Sequence, residues 1–261
     1  MDLPLYWVDA FTDKVFGGNP AAVVELPAWP DDEILQKIAF ENGLSETAFF
    51  VRTGEARADL RWFTPAVEVD LCGHATLATG HVLLSVLGAK APSFVFDSKS
   101  GPLAVTRKGP LLELDFPARP AQQAKAPDAL LAGLVQPPEA VFLAKTSWMC
   151  VYRTEAEVRT LSPDFRYLAR VTPGRVIATA PGASCDFVSR FFAPDAGIQE
   201  DPVTGSAHCT LAPYWSSRLG KTELRALQVS RRGGELWCEL AGDRVRIGGK
   251  CVLYLRGVLT A

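Results

Sequence analysis

Excess positive charge is the first thing this sequence lacks. Its 27 lysines and arginines stand against 29 acids, a formal charge of −2, and leave no electrostatic footprint for nucleic acid. The pair Arg231-Arg232 is too short a basic run to alter that. Long apolar runs are missing too: the longest, from His81 to Ala91, contains histidine, glycine and lysine and falls short of the roughly 20 residues a membrane span needs. Met1-Asp2-Leu3-Pro4 has no basic n-region and passes straight into a strand-like Leu5-Tyr6-Trp7-Val8, so no secretory signal is expected and the chain reads as cytosolic. No GxGxxG follows a strand and no GxxxxGK[ST] occurs, which removes the dinucleotide and P-loop readings, and no GxSxG elbow offers a serine nucleophile. The six cysteines, Cys72, Cys150, Cys185, Cys209, Cys238 and Cys251, show no CxxC spacing and read as reduced thiols. The three histidines do not form a metal set by spacing. His74 and His81 would stand about 10.5 Å apart along a helix, and His208 could join either only through the tertiary fold. The expectation is a small substrate, no cofactor, no metal, and neither nucleic acid nor membrane as partner.

What is present is self-similarity. Arg61-Trp62-Phe63-Thr64-Pro65 leads to Gly73-His74-Ala75, and Arg190-Phe191-Phe192-Ala193-Pro194 leads to Gly205-Ser206-Ala207, at an offset of about half the 261 residues. Each copy reads as an aromatic strand, a Pro-bearing turn, and a glycine directly before an apolar helix. Such a period predicts two related halves, each with a central helix. A helix start leaves backbone N–H groups free where the peptide dipoles favour negative charge, so both starts are candidate cradles for a carboxylate or phosphate. An ordinary glycine-led helix fits the same residues.

The remaining pattern is richer in strands than in helices. Leu5-Val8, Ala21-Leu26, Ala48-Val51 and Ala56-Phe63 read as strands, and Asp31 is placed to cap a helix running to about Asn42. The first central helix is predicted from His74 to about Leu87 and is apolar almost all round, as a helix wrapped by strands should be. Pro117 to Pro138, rich in Ala, Pro and Gln, reads as the connection between halves, and Pro213 should bend or confine the second central helix. Few βαβ units appear, which argues against a doubly wound sheet.

With cofactor and nucleophile motifs absent, acid–base chemistry remains, and its candidates are Glu46, His74 and Asp201. Glu46 stands at the entrance to the apolar strand Ala48-Phe49-Phe50-Val51, where burial would move a carboxylate pKa towards the range useful for proton transfer. A glutamate in an exposed turn fits the same residues.

Several blocks carry a family resemblance: Asp9-Ala10-Phe11, Gly18-Asn19-Pro20-Ala21, Leu44-Ser45-Glu46-Thr47-Ala48-Phe49, Arg61-x-Phe63-Thr64-Pro65-x-x-Glu68, Cys72-Gly73-His74-Ala75-Thr76 and Glu200-Asp201-Pro202-Val203-Thr204-Gly205-Ser206-Ala207. In this order they resemble the signatures of the PhzF family, phenazine-biosynthesis isomerase-like proteins related in fold to diaminopimelate epimerase and proline racemase. The resemblance implies an α+β fold of two similar domains, residues 1–118 and 119–261, each a β-barrel around a central helix, with the C-terminal strand able to cross back to the first and the active site in the cleft between them. It implies a cofactor-independent isomerase of a small carboxylate and a homodimer. Glu46 matches the acid–base residue, His74 and Asp201 match catalytic polar positions, and Asn19, Gly73, Gly205 and Ser206 match substrate-binding ones. The related racemases use two opposed thiols. Here Cys72 precedes Gly73 but Thr204 precedes Gly205, which leaves a single-thiol epimerase or dehydratase as the rival enzyme and a non-catalytic binder of a small acid or protein as the third reading.

Overall fold

The computed structural model describes residues 2–261. The chain forms two compact units, one running up to Asp115 and taking back Gly248–Ala261, the other Phe116–Ile247. Both are mixed sheets with few helices. Among the described residues no helix is long and apolar enough to cross a membrane.

In the first unit, Asp2–Ala10 pairs antiparallel with Cys251–Thr260 and with Asn19–Glu25. Asn19–Glu25 runs parallel to Glu46–Gly54, which is antiparallel to Arg57–Phe63. Arg57–Phe63 in turn runs parallel to Ser93–Ser98, and that strand is antiparallel to Gly101–Lys108. A two-residue strand, Glu68–Val69, adds to Arg57–Phe63. Parallel neighbours need crossovers. The helix Asp32–Asn42 supplies the first, and the central helix Gly73–His81 lies within the second. Asp31 occupies the N-cap position of Asp32–Asn42 but makes no side-chain capping bond. Asp32 instead accepts from Arg61 Nη1 at 2.8 Å.

The central helix has no solvent face. His74 through Gly80 are all buried, and the helix packs against Asp2–Ala10, Asn19–Glu25, Glu46–Gly54 and Gly101–Lys108. Gly80 sets the closest approach: a Cβ there would stand 2.5 Å from Val105 Cγ1. The regular α-helix is shorter than the His74–Leu87 span predicted, because Val82–Val86 loosens into a π-helical turn in which Leu87 N–H donates to the Val82 carbonyl at 2.8 Å. The Leu84 carbonyl is drawn off by Arg107 Nη2 at 2.6 Å.

The second unit follows the same order of steps. Ala140–Leu143 is antiparallel to Trp148–Val151, which is parallel to Val176–Pro181. Val176–Pro181 is antiparallel to Phe187–Ala193, which is parallel to Glu223–Gln228, itself antiparallel to Gly234–Ala241. A short strand, Ile198–Asp201, again precedes the central helix, here Gly205–Leu219. This helix continues through Pro213. Proline offers no N–H to the Cys209 carbonyl four residues back, and the Arg119 N–H takes that carbonyl at 2.8 Å.

The Arg-x-Phe repeat proves to be a clamp. Arg61 Nε and Nη2 grip the Glu68 carboxylate at 2.8 and 3.0 Å, with the guanidinium 5.1 Å from the Phe63 ring centre. Arg190 grips Glu200 at 2.7 and 2.9 Å and lies 5.0 Å from the Phe192 ring centre. Both acids sit on the short strand and stand five residues before the glycine that begins the helix. Fork-to-fork pairing of this kind fixes direction as well as distance, so each clamp sets where its helix begins.

Two stability predictions follow from these contacts. Gly80→Ala should destabilise the fold by about 1–3 kcal/mol through overpacking, and adding Val105→Ala should recover part of the loss in denaturant melts. Arg190→Leu strands the Glu200 carboxylate and should cost about 1–3 kcal/mol, between the scales of exposed and buried ion pairs. A midpoint unchanged from wild type would remove the clamp's structural role.

Candidate active site

Asn19 and Glu46 begin neighbouring parallel strands, with Ala21 opposite Glu46, so both starts lie at one end of the sheet. The turn that delivers Asn19 is tight. Gly18 has φ +61°, a Cβ on it would run into the Ala10 carbonyl, and Phe16 N–H donates to Asp9 Oδ2 at 2.9 Å. Glu46 arrives from the other side. The helix Asp32–Asn42 stops at the left-handed Gly43, Asn42 Nδ2 donates to Thr47 Oγ1 at 3.1 Å, and Thr47 through Phe50 are fully buried. The central helix brings Cys72 at its N-cap and His74 in its first turn.

These residues meet. His74 Nε2 stands 3.2 Å from Glu46 Oε2, with side-chain exposures of 6% and 14%. Asn19 Nδ2 lies 3.2 Å from His74 Nδ1, and Cys72 Sγ lies 3.5 Å from Nδ1 and 4.0 Å from Nε2. Burial pushes the His74 pKa from 6.5 down to about 3, so the ring is neutral near pH 7. An amide nitrogen can only donate, so with Asn19 in this orientation Nδ1 accepts and the ring proton sits on Nε2, beside the Glu46 carboxylate. The result is a carboxylate with a neutral N–H donor against it, a thiol at the side of the ring, and the N–H groups of Gly73 and His74 at a helix start, where no carbonyl of their own helix can serve them. Glu46, Cys72 and His74 also place one donor atom each within 4.8 Å of one another, a grouping that histidine spacing alone did not reveal.

Asp201, Gly205 and Ser206 belong to the second unit, at the start of Gly205–Leu219. Asp201 is part of a brace. Thr204 Oγ1 donates to its carboxylate, Gln228 Nε2 donates to its carbonyl at 2.7 Å, and Gln228 Oε1 accepts the Thr204 N–H at 2.8 Å. His208, its pKa pushed by burial from 6.5 to about 4, is neutral near pH 7, and its Nδ1 bonds the Thr204 carbonyl at 2.9 Å. Ser206 is half-buried, while Gly205 and Ala207 on either side are buried. Sequence reasoning missed Gln228 and His208. The signal was available for Gln228: along Glu223–Gln228 the inward positions are Leu224, Ala226 and Gln228, and a polar residue in an inward position needs a partner.

Comparison with known proteins agrees with this architecture. The PhzC-PhzF family model, described as phenazine biosynthesis-like protein, matches residues 8–257. An uncharacterized isomerase of Pseudomonas aeruginosa is 51% identical over 257 residues, covering 98% of both chains. The crystal structure of a PhzF-family protein from Enterococcus faecalis superposes with a TM-score of 0.97 at 46% identity, covering 100% of each chain. A hydroxyproline epimerase from Agrobacterium vitis, 12% identical with a TM-score of 0.61 over 99% of this chain and 92% of its own, shares the fold. With the family model matching residues 8–257 and a relative 51% identical over nearly its whole length, this chain belongs to the PhzF family of phenazine biosynthesis-like proteins.

Proposed function

We propose that the chain is a cofactor-free isomerase that shifts a proton between two carbons of a small carboxylate, with Glu46 as the acid–base group. The observation that carries this reading is the contact between Glu46 and a neutral His74 at 3.2 Å in a nearly dry environment. A carboxylate removed from bulk water is a stronger base than one in solution, and an uncharged donor beside it steers its lone pairs without neutralising it. Glu46 takes a proton from a carbon acidified by conjugation with a carboxylate or alkene and returns it to another carbon on the same face. His74 orients Glu46 and the substrate through Nε2–H. The role assigned to Gly73 is to offer its backbone N–H to the substrate carboxylate. Asp201, tied to Thr204, acts by holding the start of the second central helix, and Asn19 acts by fixing the His74 tautomer. The isomerase names of close relatives support the reaction class.

One observation favours a second reading, a single-thiol epimerase or dehydratase: Cys72 Sγ lies 3.5 Å from the His74 ring. Only the one-thiol form stands as a rival, because the residue before the second helix glycine is Thr204, whose hydroxyl is committed to Asp201.

Incubation with unsaturated or amino carboxylates in D2O, followed by NMR, separates the two. Under the glutamate reading Glu46→Gln lowers turnover by roughly 100- to 10,000-fold and Cys72→Ala keeps it; the reverse pattern assigns the chemistry to the thiol. The His74 environment sets two pH effects. The folded pKa of about 3 lies below the ordinary 6.5, so the unfolded chain takes up this proton first. Stability from this group is therefore complete above 6.5 and is lost as pH falls from there towards 3. His74→Gln should flatten that part of a plot of melting temperature against pH. The wild-type kcat/KM profile should show no inflection near 6.5 that His74→Gln abolishes.

A further inference from the structure

The far end of the first central helix carries polar groups that proton transfer at Glu46 does not use. His81 and Ser85 stand four residues apart there, on one face, where the helix loosens into its π-helical turn. With Arg107, Lys250, Asp13 and Cys251 they line a cavity of about 220 Å3 that lies wholly within the first unit. His74 is at the other end of the helix, about 10.5 Å away along its axis. We propose that this cavity binds a small tetrahedral oxyanion of the phosphate class, held by the Arg107 guanidinium, the His81 imidazole, the Ser85 hydroxyl and the Lys250 ammonium.

Charge decides the sign of the occupant. Arg107 and Lys250 bring two positive charges against one carboxylate, Asp13, which bonds Lys250 at 3.0 Å. Arg107 has no acidic partner among the described residues. Its Nη2 donates to the Leu84 carbonyl at 2.6 Å, which leaves Nε and Nη1 for a ligand. A bare helix C-terminus would repel an anion, because the peptide dipoles turn their negative ends there. Here that end is covered: the Val82 and Leu83 carbonyls accept from the Leu87 and Ala89 N–H groups at 2.8 and 3.0 Å, and the Leu84 carbonyl from Arg107. The volume suits a free ion or a small ester and falls below the roughly 300–1,000 Å3 of sites for larger organic ligands. A guanidinium fork beside a hydroxyl and an imidazole matches the several acceptor oxygens of a tetrahedral oxyanion.

His81 makes the site sensitive to pH. Burial, and after it the Arg107 charge, hold the His81 pKa below the ordinary 6.5. Cys251, pushed up to about 12 by burial, stays a neutral thiol, and Asp13, held down by its bond from Lys250, stays a carboxylate. His81 is therefore the lining group whose charge changes between about pH 5 and 8. An anion against the ring opposes the Arg107 effect and favours the imidazolium, so affinity rises as pH falls. None of this depends on the isomerase reading.

The test follows the histidine ring protons by NMR, with sodium sulfate as the probe because its charge is constant over this range, and sodium chloride at equal ionic strength as the control. His74 and His208 stay neutral down to about 3 and 4, so the resonance titrating at higher pH is that of His81, and its loss in His81→Gln checks the assignment. Sulfate should raise the pH midpoint of that resonance by about 1. Arg107→Gln and Lys250→Gln should each weaken sulfate binding by roughly tenfold, the scale of one charge-assisted hydrogen bond. Circular dichroism checks that each is folded, and Lys250→Gln leaves the Leu84 contact intact should Arg107→Gln fail to fold. Inorganic phosphate and glycerol phosphate, titrated in parallel, identify the free ion or the ester as occupant by which binds more tightly. A His81 midpoint that is the same in sulfate and chloride, or a sulfate effect undiminished in the folded variants, overturns the site.

Discussion

Burying a helix on every side is the constraint from which the rest of this structure follows. The central helix Gly73–His81 has every residue from His74 to Gly80 out of solvent, so it can display chemistry only at its ends. Its side chains are small where the sheet comes close, as at Gly80 against Val105, and its buried threonines, Thr76 and Thr79, donate their hydroxyls to the Cys72 and Ala75 carbonyls one turn back. At its N-terminus the backbone N–H groups have no carbonyl within the helix, and polar residues gather there because that is the one place where the fold must supply or accept them. Glu46 and Asn19 reach the same point because parallel pairing puts the starts of their strands at one end of the sheet.

The two repeats keep their scaffolding and differ in their chemistry. Each has an arginine clamped on a glutamate of a short strand, a stacked phenylalanine, and a glycine-led helix five residues on. Past that point they part. The first repeat places Cys72 and His74 around its helix start beside Glu46, whereas the second places Thr204 and Ser206 there and spends Asp201 and Gln228 on bracing the turn. A thiol, an imidazole and a carboxylate can exchange protons near neutrality; two hydroxyls cannot. The repeats thus share a framework and differ in the residues that the framework leaves free.

Much of this was legible in the sequence, for reasons that can be named. The helix that is apolar all round, the arginine–phenylalanine repeat and a glutamate at the mouth of a fully apolar strand are local patterns, and local patterns survive without a structure. The short strands Glu68–Val69 and Ile198–Asp201 are too brief to show a period, so the purpose of the arginine repeat stayed hidden until its carboxylate partners were placed. How the helix runs on through Pro213 is not legible locally, because the donor that compensates for it, Arg119 N–H, comes from a distant stretch of chain. The same blindness applies to the grouping of Glu46, Cys72 and His74, since spacing along the chain says nothing about a strand-borne glutamate lying beside a helix-borne Cys-x-His.

The neutrality of His74 ties these threads together. An imidazole kept uncharged by burial forms no ion pair with Glu46 across their 3.2 Å contact. The same desolvation that denies the ring a proton leaves a nitrogen lone pair available, and which nitrogen holds it depends on how the Asn19 amide is turned. With the amide nitrogen towards Nδ1, the proton sits on Nε2, the ring nitrogen that stands 3.2 Å from Glu46. One side-chain amide, buried at the first residue of its strand, therefore decides which ring nitrogen carries the proton.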